Sequence, residues 1–132
     1  MKNRSKNRTV IDQMNEAFLG KNLAAAVATV SDDSVWIHHG SQKLPSLRFE
    51  GKRGVEKFFH TSFTEMDFEY YRPTRFLEVE DTITVFGEES FVYRGEKLNN
   101  KWVQIYTLAD GRITRMEEFA TSTRASDYMV VS

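Results

Sequence analysis

The order of helix-like and strand-like segments is the feature that most constrains this fold. Three segments with helical periodicity precede residue 66, and almost everything from Phe68 onwards has the composition of strands separated by turns. The strongest turn signal is Asp110-Gly111, which is typical of a tight hairpin. Helices grouped first and strands grouped last predict an α+β fold, with the helices on one face of an antiparallel sheet.

Local signals define three helices in the first half of the chain. The first is predicted to begin with Thr9 as its cap and to end at Gly20. Asn22 is predicted to cap a second, short helix over residues 23–28. The apolar stripe of a third helix contains Val55, Phe58, Phe59 and Phe63.

Strand signals lie on both sides of the third helix. The first strand is predicted over 34–39 after a turn at 31–33, and residues 40–48 are predicted to form a loop. The remaining strands are predicted over 68–80 with a bend at Pro73, over 82–93 with a bulge or bend at Gly87, over 101–108 and over 113–121, with turns between 95 and 100. The last four should form an antiparallel meander.

The length of the chain, 132 residues, is enough for one domain with its own core. We expect a single domain over 9–124, a flexible basic tail over 1–8 and a C-terminal tail over 125–132. The chain contains ten Phe, five Tyr and two Trp, so the interior should be either a dense aromatic core or an aromatic cavity.

Charge and composition exclude several classes of partner. The formal net charge of -1 argues against binding to nucleic acid or to an anionic membrane. The chain has no cysteine, which excludes disulfides, thiolate catalysis and cysteine-ligated metals. No apolar run suits a membrane span, and no signal-peptide core follows the basic start. We therefore expect a cytoplasmic protein.

Motifs for metals, nucleotides and serine nucleophiles are absent from the sequence. There is no HExxH, no pair of histidines at helical ligand spacing, no glycine-rich phosphate loop and no nucleophile elbow. The sequence therefore predicts a site that uses neither a metal nor a cofactor.

Three segments resemble SnoaL-like and ketosteroid-isomerase-like proteins of the nuclear transport factor 2-like superfamily. Residues 14–40 resemble the opening of that family, 49–59 its glycine-led third helix, and 100–113 its final hairpin. The resemblance covers about residues 9–122. It implies a cone-shaped α+β barrel, in which a curved antiparallel sheet wraps three N-terminal helices around an apolar pocket, and a homodimer formed through the outer sheet face.

The resemblance also indicates candidate catalytic residues. His38 lies where ketosteroid isomerases carry their carboxylate base, and imidazole can transfer a proton near neutral pH. Neighbouring strand residues face opposite ways, so His39 should point away from the pocket. Gln104 matches the position of the oxyanion-stabilising acid and shares a strand face with Trp102 and Tyr106.

Two carboxylate pairs, Glu88-Glu89 and Glu117-Glu118, offer further acid–base groups. At most one member of each pair can face inward, and a buried glutamate would have a raised pKa. Glu118 is the preferred third catalytic candidate because Met116 on the same strand face is apolar. The alternative is that these glutamates are solvated or pair with surface cations.

Departures from the family restrict the chemistry. Met14 stands where ketosteroid isomerases carry a tyrosine that donates to the oxyanion, and a thioether cannot donate. Trp102 and Gln104 do not supply the arginine–aspartate pair of the epoxide-hydrolase branch. The acid near the end of the last strand corresponds to Thr121, so no dyad of His38 with that position is expected.

Three functional hypotheses follow. The first is a proton-transferring site, of isomerase, cyclase or dehydratase type, for a small carbonyl-bearing or polyketide- or terpenoid-like molecule. In it His38 takes a proton from carbon, and Gln104, helped by Tyr106, stabilises an enolate-like oxygen. The substrate-binding walls would be Met14, Phe18, Trp36, Phe58, Phe63, Phe86, Trp102, Tyr106 and Met116.

The second hypothesis is a ligand-binding domain without catalysis, in which His38 and Gln104 only orient the ligand. The third is a dimeric interaction module whose aromatic interior is solid core. A cavity on the order of several hundred Å³ with His38 inside it would favour the first two hypotheses.

Overall fold

The computed structural model describes residues 4–132, in which six strands form one curved sheet against three α-helices. The helices are α1 (Lys6–Leu19), α2 (Leu23–Val27) and α3 (Gly51–Glu65), and a short 3-10 helix covers Ala125–Asp127. The strands are β1 (Val30–His38), β2 (Leu47–Glu50), β3 (Met66–Val79), β4 (Thr82–Tyr93), β5 (Glu96–Ala109) and β6 (Arg112–Thr121). The predicted α+β class is confirmed.

The strands lie in the order β2-β1-β6-β5-β4-β3, with an open edge at each end. Strands β3 to β6 form the predicted antiparallel meander. The turns Arg94-Gly95 and Asp110-Gly111 have positive φ at both residues, as tight hairpins require. β1 pairs in parallel with β6, which places His38 opposite Glu118.

The first helix begins earlier than the sequence signals indicate. Its cap is Ser5, whose hydroxyl accepts a hydrogen bond from the Arg8 backbone N–H at 2.9 Å, and not Thr9. The Arg8 side chain pairs with Asp12 at 3.0 Å and lies over the Phe76 ring. Residues 6–8, which were predicted to belong to the basic tail, form the start of α1. The first three residues of the predicted tail lie outside the described residues.

Residues in three predicted turn or loop segments lie in strands instead. Residues 31–33 belong to β1, residues 47–48 at the end of the predicted loop belong to β2, and residues 99–100 lie within β5. Turn-forming side chains can occupy strands when they face solvent or find a partner, because cross-strand pairing overrides local propensity. Asp32 and Asp33 are exposed, and Asn100 hydrogen-bonds to a neighbouring strand.

The helices cover the inner face of the sheet, which we define as the face that carries Trp36, Gln104 and Tyr106. These side chains are almost fully buried, as is Phe59 from α3. On the opposite, outer face Phe119 is 47% exposed. The homodimer that the resemblance implies through this outer face stays a prediction.

Gly87 on β4 lies directly against the Trp102 indole on β5. A Cβ built on Gly87 would lie 2.3 Å from that ring and 2.8 Å from the Arg72 carbonyl oxygen. We predict that Gly87→Ala lowers the free energy of unfolding by about 1–3 kcal/mol, because overpacking displaces the ring or the strand. Urea denaturation measures this difference. Gly20→Ala is the control, since its φ is negative and its nearest neighbour lies 3.3 Å away, and an equal loss in both variants would contradict the explanation.

Candidate functional site

Two adjoining compartments lie between the helices and the inner face of the sheet. The inner compartment has a volume of about 70 Å³ and the outer one about 110 Å³. Both are bounded by His38, Leu44, Phe58, Ser62, Met66, Glu89 and Glu118. The interior is therefore not solid, but it is smaller than the several hundred Å³, roughly, of a typical ligand pocket. It suits a small molecule.

Larger clefts occur on the surface, including one of about 600 Å³ along α1 and α2. They are more open to solvent and lack the cluster of His, Glu and Tyr side chains that the two compartments bring together. The inner and outer compartments are therefore the candidate site.

Most of the predicted site residues meet in the inner compartment. Its boundary includes the three catalytic candidates His38, Gln104 and Glu118. It also includes six of the predicted wall residues, which are Met14, Phe18, Trp36, Phe58, Tyr106 and Met116.

Three predicted wall residues do not line the inner compartment. Phe63 packs against Phe59 on the same helix, with ring centroids 6.0 Å apart. Phe86 lies on the outer face of β4. Its sequence neighbours Val85 and Gly87 face inward, and successive strand residues alternate between the two faces. Trp102 is buried but stacks behind Tyr71, with ring centroids 5.1 Å apart.

His38 and Glu118 form a close pair at the boundary between the two compartments. The His38 Nε2 atom lies 3.6 Å from a Glu118 carboxylate oxygen, and each side chain is only 14% exposed. The imidazole stacks on the Phe58 ring, and its Nδ1 atom has no hydrogen-bond partner within residues 4–132. With its proton on Nε2, His38 has a lone pair on Nδ1 that no protein group engages within residues 4–132.

Burial lowers the pKa of His38 below its ordinary value of 6.5. The charge of Glu118 opposes this shift, and His39 adds to it. Desolvation disfavours the charged imidazolium, so His38 is neutral at neutral pH and can accept a proton.

The acidic partner of His38 comes from a different position than the family comparison indicates. Thr121 lies outside the compartments, where its hydroxyl contacts Gln42 and Thr123. Glu118 lies three residues earlier on β6. It is directly opposite His38 because β1 and β6 run in parallel.

Gln104 connects the acidic partner with two tyrosines. Its Nε2 donates to Glu118 at 2.9 Å and to the Tyr71 hydroxyl at 3.0 Å. Its Oε1 accepts from the Tyr106 hydroxyl at 2.7 Å. Both amide hydrogens are therefore engaged, so Gln104 positions its neighbours and has no free donor for a ligand oxygen.

Tyr71 is a site residue that the sequence analysis missed. Its hydroxyl oxygen accepts a hydrogen bond from Gln104 Nε2. Its hydroxyl proton points to Gln104 Oε1 at 3.3 Å, a longer bond than the one that the same oxygen accepts from Tyr106. The Tyr71 hydroxyl proton is therefore the donor most easily turned towards a ligand. Burial, followed by the charges of neighbouring groups, raises its pKa well above the ordinary range, so it stays protonated.

A break in strand alternation explains why Tyr71 was missed. The pairing of β3 with β4 shifts register between Phe68 and Tyr70, and both Phe68 and Tyr71 then line the inner compartment. Strict alternation from Phe68 would turn Tyr70 inward instead. Tyr70 lies beside the Arg72 guanidinium.

Glu89 and Asn100 form a second buried polar pair, in the outer compartment. Glu89 is 8% exposed and accepts a hydrogen bond from Asn100 Nδ2 at 2.9 Å. Burial and, to a smaller extent, the charge of Glu118 raise the pKa of Glu89 to about 8, and the hydrogen bond from Asn100 opposes both effects. Glu89 is therefore a neutral acid at neutral pH. Sequence analysis placed it in a candidate pair without preferring it, and assigned Asn100 to a turn.

Within residues 4–132, no three His, Asp or Glu side chains come close enough together to hold a metal ion. No helix in the same part of the chain is both long and apolar enough to cross a membrane.

A model of the SnoaL-like domain matches residues 11–116, and no curated protein is significantly similar to the chain. An NTF2-like protein from Burkholderia xenovorans shares 16% identity, with a TM-score of 0.76 over 87% of this chain and 88% of that one. TerC, co-crystallised with polyporic acid, shares 25% identity, with a TM-score of 0.71 over 87% and 91%. An LEH-like epoxide hydrolase from M. tuberculosis shares 14% identity, with a TM-score of 0.71 over 87% and 82%. The chain belongs to the SnoaL-like domain family and has the NTF2-like fold.

Proposed function

We propose that the chain binds a small carbonyl-bearing molecule in the inner compartment and transfers a proton at the carbon next to the carbonyl. The observation that carries this proposal is that the His38 imidazole, whose pKa is lowered by burial, and the Tyr71 phenol, whose pKa is raised by burial, line one largely apolar cavity. Isomerisation, cyclisation and elimination all share this step.

His38 is the base in this reaction. Its Nδ1 takes the proton as the C–H bond breaks, and the electron pair moves to the carbonyl oxygen to give an enolate. Glu118 stabilises the imidazolium that forms, because its carboxylate lies 3.6 Å from Nε2. The imidazolium then returns the proton to carbon and regenerates the neutral base.

Tyr71 is the donor to the developing oxyanion. Preorganised donors in a water-poor site stabilise such charge strongly. Gln104 holds the Tyr71 oxygen from one side, so the hydroxyl is oriented before the substrate binds. This assignment moves the oxyanion role from Gln104 to Tyr71 and compensates for Met14, which cannot donate.

The dimensions of the cavity limit the substrate. A water molecule occupies roughly 10–15 Å³ on the same measure, so the 70 Å³ inner compartment suits a compound of a few non-hydrogen atoms. The co-crystal of TerC with polyporic acid supports an organic ligand for a protein of this fold.

Binding without catalysis is the second candidate function. The observation that favours it is that both Gln104 amide hydrogens are already bonded within the protein, so that Gln104 cannot donate to a reacting oxygen. A site that only binds and orients a ligand does not need that donor.

Proton exchange at carbon separates the two functions. Small ketones such as butanone and cyclopentanone are incubated with the protein in D₂O, and loss of the α-proton signal is followed by NMR. We expect the protein to accelerate exchange above the buffer rate. Tyr71→Phe should slow the accelerated exchange by about 10²–10³-fold, because one oxyanion donor is lost.

Tyr70→Phe is the matched control, since Tyr70 is the neighbouring phenol and lies beside Arg72 instead of Gln104. It should keep the wild-type rate. Exchange no faster than buffer would overturn the catalytic proposal, and equal rates in Tyr71→Phe and wild type would remove Tyr71 from it.

A further inference from the structure

The outer compartment holds several hydrogen-bond acceptors. Glu89 and Glu118 both line it, and Asn100 contributes an amide. Asn100 is 3% exposed, and its Oδ1 has no hydrogen-bond partner in the described part of the chain. A ligand that satisfies these atoms must bring donors.

Positive charge is missing from the same compartment. No lysine or arginine is among the described residues that line either compartment, and His38 is held in its neutral form. A buried carboxylate without a counter-ion is unfavourable, and the charge of Glu118 would repel an anionic ligand. The electrostatics of the compartment therefore favour a cation.

The orientation of the Asn100 amide suits an ionised Glu89. Asn100 Nδ2 donates to the Glu89 carboxyl, and this leaves the Asn100 carbonyl oxygen for a second donor. A primary ammonium group has three N–H donors. The two carboxyl groups and the Asn100 oxygen offer one acceptor for each of them.

Apart from the hydroxyl groups of Thr61, Ser62 and Tyr93, most of the remaining wall of the outer compartment is apolar. The apolar part includes Pro45, Leu47, Phe49, Phe58 and Ala120. Such walls accept a short hydrocarbon chain, and aromatic ring faces attract cations.

We propose that the outer compartment binds a protonated amino group, so that the substrate of this site is a small amine that also carries the carbonyl. The carbonyl half rests on the proposed proton-transfer function, whereas the amine half rests on Glu89, Asn100 and Glu118 alone.

Binding of n-butylammonium and of 1-butanol, a neutral molecule of nearly the same size, tests the amine half. NMR titration should show n-butylammonium binding at least about tenfold tighter, since that ratio corresponds to about 1.4 kcal/mol. Glu89→Gln should abolish the preference, because the amide keeps the shape but not the charge. Asn100→Leu should weaken the preference for n-butylammonium over 1-butanol.

Glu88→Gln is the matched control, since Glu88 is the adjacent carboxylate and pairs with Arg72 outside the compartments. It should keep the wild-type preference. Equal affinity for the two probes, or an undiminished preference in Glu89→Gln, would overturn the proposal.

Proton release provides an independent readout. The titratable groups that line the two compartments besides Glu89 are His38, Tyr71, Tyr93, Tyr106 and Glu118. Binding of n-butylammonium should displace the proton from Glu89. Calorimetry of this binding near pH 7, in buffers of different ionisation enthalpy, should therefore show proton release. The release should be absent in Glu89→Gln, and its persistence there would contradict the assignment.

The two proposals fail separately. Loss of amine selectivity while ketone exchange is retained would overturn only the amine site. Retained amine selectivity without any ketone exchange would overturn only the proton-transfer function.

Discussion

Replacing His38 with glutamine should lower the accelerated rate of α-proton exchange by about 10²–10⁴-fold, the usual contribution of a general base. Glutamine retains a side-chain N–H that can face Glu118, but it has no lone pair of comparable basicity. The stacking partner Phe58 and the Glu118 carboxylate stay in place, so the loss should fall on catalysis and not on ligand affinity.

His39 provides the matched control for this substitution. It follows His38 in sequence but lies on the outer face, where its ring contacts Glu117 at 2.6 Å and stacks on Phe119. His39→Gln should therefore keep the exchange rate, as measured by the same NMR assay. Similar losses in both variants would mean that His38 is not the base.

The pH profile of the exchange reaction gives a second test of His38. The pKa of this imidazole is lowered by burial, so the neutral, proton-accepting form persists below pH 6.5. The exchange rate should stay high as the pH falls through 6.5 and decrease only at lower pH. A decrease centred above pH 6.5 would contradict this role.

Replacing Glu89 with glutamine should change stability little at acidic pH and stabilise the protein at alkaline pH. The folded-state pKa of Glu89 is about 8, against an ordinary value of 4.5. Between these values the folded protein holds a proton that the unfolded chain has released. Stability therefore falls as the pH rises through this window, by at most about 1.4 kcal/mol per pH unit.

Urea denaturation at pH 5.5 and pH 8.5 measures the effect. Near pH 5.5, about one pH unit above the ordinary pKa, Glu89→Gln should differ from the wild type by no more than about 1.4 kcal/mol. At pH 8.5 the variant should be more stable by a larger amount, because it avoids a buried charge. Glu88→Gln should follow the wild-type pH dependence, and parallel curves for the wild type and Glu89→Gln would contradict the raised pKa.

The fold follows from the sequence because its main signals are local. Asp110-Gly111 alone specifies the last hairpin, and the apolar stripe of α3 specifies a helix. Boundaries were less predictable where two equivalent signals compete. Ser5 and Thr9 are both good caps, and the contacts of Arg8 with Asp12 and Phe76 accompany the earlier one.

The site was less predictable because its members meet through long-range pairing. Strand alternation could divide His38 from His39 and Glu118 from Glu117, but only the parallel register of β1 and β6 brings His38 to Glu118. The inward position of Tyr71 could not be predicted, because it results from a bulge for which the sequence contains no short motif. Phe86 was misassigned because aromatic character alone does not show which face of a strand a ring occupies.

The parallel pairing of β1 with β6 also bears on the order in which the protein folds. The meander from β3 to β6 is joined by short turns, so each of its pairings closes a small loop. β1 reaches β6 only after most of the chain has been enclosed, at a larger entropic cost. Docking of β1 is therefore expected to be a late event, and the base and its carboxylate are apart in any intermediate that contains only the meander. Loss of this single strand would disable the site while most of the sheet remained intact.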